Sequence, residues 1–568
     1  MSEREKPVFR IGLCLAGAIS AGAYTAGVLD YLVEALDQWE QKKKVLPPEQ
    51  VPSHKVEIPI IGGASAGGMT GMILGTALHQ RFDPIRQIPN GKNPIEATYP
   101  QNPLYHAWVD QLEAENPKVF PGMLDYLLDC SDVTKPGNIQ SLLNSSFIEK
   151  IANKVIKVPC ANQSVNRSYI PERLKVFVTV TNLMGMEFPI AFNTGKSNYL
   201  VQDHRDYGCF CFSSGEIHPH GGWEWVDFLN QGMLERYKST AIATGAFPVA
   251  LSPVKLSRPA SYLSELNWLK HLWKDKSDTS LQNYDSVMVD GGMCNNEPFE
   301  KIREELNALT GISDESKNQN YSDFESTVLM IDPFPSVSSI GKAGDNLFGY
   351  LGNLLSALVS QSRIKSEHLC DSLESDKAGQ FEISPIRYSY GTEGENKVFG
   401  AQAIACGSLD GFGGFFSKEF RMHDFFLGRA NCEKFLRDHF TVRKDAHNPI
   451  FDQGYGNLNE QSRKRFTSDA DGGYQIIPLF TQAKEKPFFP TWKNSGTWPK
   501  VNWEEVGIYQ SKVKKRVHGL VLNSADLSKK DHILLWLGSK AFITPKISKL
   551  VMDTIESSLK KHRQLIGR

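Results

Sequence analysis

At 568 residues the chain is long for one ordinary core and has room for one large catalytic domain with an appended region. Its 40% hydrophobic and 22% charged content lie near globular averages, which excludes a disordered, collagenous or disulfide-scaffold protein. A formal net charge of -1 gives no global field for nucleic acid, and nine scattered cysteines fit reduced thiols in a cytoplasmic setting better than a secreted framework.

The amino-terminal MSEREKPVFRIGLCLAGAISAG sets mixed charges before a short apolar run, which fits a strand and not a signal peptide. A strand is predicted over 10–15 and a small-residue turn over 16–22. A helix follows, with Val28, Leu29, Leu32, Val33 and Leu36 at helical spacing and Ser20 as its cap. After a polar connector over 41–55 the grammar repeats as a strand over 56–61, a glycine turn and a helix. No Asp, Glu, Lys or Arg occurs over 58–80, the length of a membrane span. Six glycines there dilute the apolar content and favour strand, turn and helix instead.

Over 81–121 prolines and asparagines recur without periodicity, so the segment reads as an excursion over the surface or a lid across a site. Short runs over 174–181, 286–289 and 327–331 read as buried strands. From about Ser336 the character changes to long amphipathic helices, over 347–368 and 532–566, around a polar stretch over 446–473. The expected architecture is α/β, a sheet flanked by helices over residues 1–335, with a mainly helical region over 336–568.

Three motifs carry chemistry. Gly63-Ala64-Ser65-Ala66-Gly67 is a G-x-S-x-G between a predicted strand and a predicted helix. A serine on so tight a turn sits in a strained backbone with its hydroxyl above the sheet, and the helix that follows directs its amino-terminal dipole at developing negative charge. Read alone, the five residues are also a turn that needs glycine for steric reasons. Gly17, Ala18 and Ile19 open a small-residue turn after the first strand. Their N–H groups suit an oxyanion hole, worth roughly 3 kcal/mol per donor in a dry site, or their small size serves close helix–strand packing. Asp290-Gly291-Gly292 follows the strand over 286–289, so a carboxylate emerges at a strand's carboxyl end, where ligand sites gather. It is equally a common turn.

In content and order these motifs resemble the patatin-like phospholipase family, which runs a glycine-rich oxyanion loop, a serine elbow and then Asp-Gly-Gly or Asp-Gly-Ala. The matching pieces are LCLAGAISAGAYTAGVLDYL, IIGGASAGGMTGMILG and VMVDGGMCNNEP. STAIATGAFP, over 239–248, is similar to the family's small-residue helix and Phe-Pro turn before the aspartate. The resemblance covers roughly 9–333, and GSLDGFGGFFSKEFRMHDFFLGRANCEKFL, over 407–436, looks like a carboxyl-terminal segment of some bacterial patatin-related proteins. It implies Ser65 as nucleophile and Asp290 as base, with Gly17, Ala18 and Ile19 as the oxyanion loop. Gly63, Ala64, Ala66 and Gly67 would form the elbow, and Gly291 and Gly292 the aspartate turn. The implied protein is a serine lipid acyl hydrolase that cleaves phospholipid or lysophospholipid esters through an acyl-enzyme, with no metal or cofactor. It would be cytoplasmic and peripheral on the inner membrane face. The departures lie in the oxyanion loop, usually Gly-Gly-Gly-x-Arg-Gly: Ala18 and Ile19 replace two glycines and Ala21 stands where the arginine is expected.

Weaker features have plainer readings. His204, Cys209, Cys211, His218 and His220 lie close together but match no common zinc spacing, and read as a loop or lid. Ile547, Leu550, Val551 and Leu559 form a terminal stripe beside Lys560, Lys561, His562, Arg563 and Arg568, and packing on the domain is expected ahead of binding an anionic membrane. Phe488, Phe489, Trp492 and Trp498 are expected to pack locally. Two other functional readings stay open: a Ser-His-Asp hydrolase completed by His423 or another later histidine, and an inactive lipid-binding or signal-responsive protein.

Overall fold

VFRIGLCL and KVEIPIIGG lose their alternation toward the carboxyl end and become solidly buried, as strands covered on both faces do. In the computed structural model they form β1 (Val8–Leu15) and β2 (Lys55–Gly63), which pair in parallel. The structure describes residues 8–88, 97–112, 123–157, 164–190, 199–213, 222–227, 231–260, 283–312, 320–335, 380–391, 394–480, 487–492, 496–524, 535–536 and 538–567. The sheet continues through β3 (Leu174–Ile190), β4 (Tyr199–Phe212), β5 (Glu224–Val226), β6 (Val254–Pro259), β7 (Asn283–Asp290), β8 (Ser326–Ile331) and β9 (Gln380–Ile383). Its order is β5-β4-β3-β2-β1-β8-β9, with β7 pairing β3 and β6. The pairs from β3 through β2, β1 and β8 to β9 are parallel, whereas β3–β4, β3–β7 and β6–β7 are antiparallel, so the sheet is mixed.

Helices cover both faces. Against one lie α1 (Gly22–Val45), α2 (Ser65–Ala77), α3 (Ser146–Val155), α4 (Gln231–Thr244) and α6 (Lys418–Asp438), in a core that includes Leu13, Leu15, Ile61, Val176 and Val178. On the other, α5 (Phe299–Thr310) sets Ile302 and Leu306 against Cys14, Ile60 and Phe177. Arg429 of α6 pairs with Asp30 and Glu34 of α1, all buried. Removing one member of such a buried cluster strands its partners' charge.

The expected boundary at 335/336 borders residues outside the described ones, as does the whole predicted helix over 347–368. Beyond it, β9 joins the same sheet, and Phe420, Phe425 and Phe426 of α6 share the core of β1 and α1. α7 (Gln510–Asn523) and α8 (Thr544–Lys561) complete the carboxyl-terminal part.

Several expectations are corrected. Ser20 does not cap α1. Its hydroxyl bonds Gly411 O and accepts from Gly414 N at 2.9 Å, because a tertiary partner outcompetes the local one. The segment over 81–121 is not a surface excursion over 102–112, where Leu104, Tyr105, Trp108 and Val109 are buried in the core, whereas Arg81, Asp83, Arg86 and Gln87 are exposed as expected. The predicted helix over 532–566 is helical at 535–536 and 538, runs through a π-helical turn, Ser539–Ile543, into α8, and ends earlier than expected, before a two-residue strand, Leu565–Ile566, while 532–534 and 537 lie outside the described residues. Its stripe is split: Leu559 is buried, whereas Ile547 and Leu550 are exposed. Phe488 packs on the Phe426 ring at 4.9 Å, and Trp498 donates to His562 O. Among the described residues no helix is long and apolar enough to cross a membrane.

Candidate active site

β2 ends at Gly63, Ala64 remains extended, and Ser65 turns into α2 with φ at +51°, a left-handed conformation costly for a residue with a Cβ. Three contacts hold that turn. The Ala64 N–H donates to Leu15 O at 3.1 Å, and the Ser65 N–H donates to Thr244 Oγ1 of α4 at 3.0 Å. Gly67 lies so close to the end of β1 that a Cβ there would run into the Leu15 and Ala16 carbonyls. Gly63, Ala64, Ser65, Ala66 and Gly67 thus form the strand–turn–helix that their pattern predicts.

Asp290 is the last residue of β7, pinned by its N–H to Ala246 O at 3.0 Å and by Thr181 Oγ1 donating to its carbonyl at 2.8 Å. Gly291 and Gly292 form the turn after it. The Ser65 hydroxyl donates to Asp290 Oδ2 at 2.6 Å, and the Gly292 N–H donates to Oδ1 at 2.7 Å. Burial raises the Asp290 carboxyl from an ordinary 3.8 to about 6, against the opposing pull of those two donors. The result is a carboxylate of enhanced basicity in direct contact with a hydroxyl, which is what activation of an oxygen nucleophile requires.

Gly17, Ala18 and Ile19 lie beside this pair. A Cβ on Gly17 would come within 3.0 Å of Ser65 Cβ, and the Gly17 and Ala18 N–H groups meet no acceptor among the described residues. Ile19 adopts φ +48°, a left-handed conformation that favours glycine. Gly411 and Gly414 brace this loop from the carboxyl-terminal part of the chain: Ile19 packs on Gly411, and Ser20 bonds both.

A cavity of about 80 Å³ opens from Ser65. Ile19, Met69, Ile73, Trp108, Phe247, Phe412, Phe415 and the α3 stripe Phe147, Ile148, Ile151 and Val155 line it. Gln111 and Ser65 are its polar lining residues, apart from the Trp108 indole, and no charged side chain lines it. Such a lining suits an alkyl chain and penalises a charged head group. At the rim, the Leu142 and Leu143 N–H groups donate to Val249 O and Ala250 O at 2.8 and 3.0 Å. Leu142 and Val249 are 50% and 69% exposed. Buried Arg516 of α7 supports this rim through Leu142 O at 2.7 Å, the Asp129 carbonyl and the Asp132 carboxylate.

Residues outside the three motifs therefore complete the site: Thr244 and Phe247 from STAIATGAFP, Phe412 and Phe415 from the 407–436 segment, and Trp108 and Gln111 from the aperiodic one. His423 is not among the lining residues. Its Nδ1 bonds Asp424 at 2.8 Å, and Asp424 accepts from the Ala405 and Cys406 N–H groups. His204 bonds Asn182 O, Cys209 is buried beside Phe177, and His218 and His220 lie outside the described residues. Among the described residues no group of three or more His, Cys, Asp or Glu side chains is arranged to hold a metal ion.

A protein of Sinorhizobium fredii described as uncharacterized protein y4iI is 28% identical over 537 residues, which cover 87% of this chain and 73% of the relative. No family model matches the chain.

Proposed function

We propose that the chain is a patatin-like serine hydrolase of lipid acyl esters, acting on phospholipids or lysophospholipids through Ser65 and Asp290. The observation that carries this reading is the 2.6 Å bond to the buried Asp290 carboxylate from Ser65 Oγ, which itself lines an uncharged apolar cavity. Ser65 Oγ attacks the ester carbonyl carbon while its proton passes to Asp290, and the carbonyl π pair moves onto oxygen, where the Gly17 and Ala18 N–H groups receive it. The tetrahedral species collapses, the ester C–O bond breaks, and the leaving alkoxide takes the proton back from Asp290. The acyl chain, now on Ser65, stays in the cavity. Asp290 next deprotonates a water, which attacks the acyl carbonyl and releases the fatty acid as Ser65 recovers the proton. The reaction as proposed uses no metal or cofactor. Exposed Leu142 and Val249 give the rim an apolar contact for a transient encounter with a lipid surface.

The test is fatty-acid release from mixed phospholipid vesicles by the wild type, Ser65→Ala and Asp290→Asn. Release by the wild type and loss in both variants is the expected result; release that survives Ser65→Ala ends the proposal. A lipid-binding protein without turnover is the second reading, favoured by Ile19 at a position where the family has glycine. Wild-type protein that binds vesicles yet neither releases fatty acid nor reacts with a fluorophosphonate would establish it.

A further inference from the structure

The apolar cavity penalises a charged head group, and a second cavity of opposite character borders it. It measures about 340 Å³ and lies between α3, α4 and the start of β6. Ile148, Ile242 and Leu251 line both cavities, so one apolar ridge is their common wall. Two chain segments also tie them together. Over 142–143 and 249–250 these segments form the hydrogen-bonded rim of the first cavity; over 145–146 and 251–255 they enter the wall of the second, where the Ser252 N–H donates to Ser145 Oγ at 3.4 Å. Ala246 stands in the same wall and accepts the Asp290 N–H, which sets the second cavity one hydrogen bond from the backbone of the proposed base.

The lining carries both signs of charge. Lys238 Nζ pairs with Glu235 at 2.8 Å, the lysine side chain 12% exposed and the glutamate 60%. An ion pair with a solvated partner is weak, and an ammonium has three donors, of which this one uses one among the described residues. Lys255 of β6 and Glu149 of α3 are exposed and form no ion pair with a described residue. We propose that this cavity is the head-group site of the substrate, and that the head group is a zwitterion joining a phosphate to an ammonium. Lys238 and Lys255 receive the phosphate, and Glu149 the ammonium. The proposal rests on Ser65 acting as nucleophile on a lipid ester and names the substrate class of that reading: a zwitterionic glycerophospholipid, its acyl chain in the apolar cavity and its glycerol across the ridge. A head group with a phosphate and no ammonium leaves Glu149 facing like charge, which selects against it.

The test compares dihexanoyl phosphatidylethanolamine and dihexanoyl phosphatidylglycerol, both below micelle-forming concentration so that no charged surface intervenes, with p-nitrophenyl octanoate, which has no head group. It uses wild type, Lys238→Met, Lys255→Glu and Glu149→Lys, with folding checked by melting. The wild type is expected to favour the ethanolamine lipid over the glycerol lipid by about 10-fold in kcat/KM, about 1.4 kcal/mol. Both lysine variants should lower kcat/KM for the ethanolamine lipid at least about 10-fold relative to the octanoate, mainly through KM, and Glu149→Lys should reverse the preference between the lipids. Absence of a wild-type preference, or variants that leave the lipid-to-octanoate ratio as in wild type, overturn the proposal. Free phosphoethanolamine should compete with phospholipid; if it instead stimulates octanoate hydrolysis, the cavity holds a separate regulatory ligand and the proposal fails. A wild type that cleaves the octanoate and neither lipid defeats this proposal alone, whereas one that cleaves none of the three defeats the hydrolase reading beneath it.

Discussion

The proposed reacting pair and the cavity beside it are built by opposite means. Ser65 and Asp290 are positioned by backbone: a strained φ, N–H donors from Gly292 and to Thr244, and a helix start packed onto two carbonyls. The cavity is positioned by side-chain volume, contributed by segments from Ile19 to Phe415 with no charged group among them. Backbone geometry offers no graded adjustment, so the pair should fail abruptly when altered. An apolar wall repacks, so the cavity should fail by degrees.

The largest expected effect lies in the pair. Ser65→Ala should reduce ester hydrolysis by about 10⁴-fold or more, and Asp290→Asn by at least about 10³-fold, both read as kcat with folding checked by melting. Loss of comparable size from a cavity substitution would break the contrast. Next is pH. With the Asp290 carboxyl at about 6, kcat/KM should be half-maximal near that pH and fall below it as the base protonates.

The same shift has a stability sign. The folded pKa lies above the unfolded one, so its contribution is present in full below about 3.8 and is lost as pH rises through about 6, on the order of 3 kcal/mol. Asp290→Asn escapes that loss, and its melting temperature should exceed wild type by more at about pH 8 than at about pH 5. Equal differences at both would show that the carboxyl does not titrate in this window.

On the cavity side, Phe412→Ala should raise KM by roughly 2- to 5-fold and move the preferred acyl length upward, with kcat on the best substrate nearly retained, as p-nitrophenyl esters of graded length would report. The smallest effect belongs to the rim. Val249, β-branched at φ +68°, is strained in its position, and Val249→Gly should stabilise the fold by up to about 1 kcal/mol in denaturant melts.

The same division separates what is legible in the amino-acid sequence from what is not. Ser65 and Asp290 sit in glycine turns whose parts are contiguous, so the pattern marks them, although each is also an ordinary turn and their roles come from the family resemblance; the parallel strands 56–61 and 327–331, which deliver the first and flank its sheet, are legible as well. The cavity has no such signature. Trp108 and Gln111 lie in an aperiodic segment, and Phe412 and Phe415 sit more than 300 residues after Ser65. Ser20 defeats a local reading because capping propensity is local, whereas its partners are not.

Those distant partners bear on how the protein is made. Ser20 waits for Gly411 and Gly414, 391 and 394 residues later, and the rim waits for Arg516. At roughly 5–20 residues per second, a ribosome leaves the Gly17 loop without its brace for on the order of half a minute. Ser65 emerges early, but Asp290 follows 225 residues later and the Phe412 and Phe415 part of the wall later still, so a nascent chain carries the serine without a finished site.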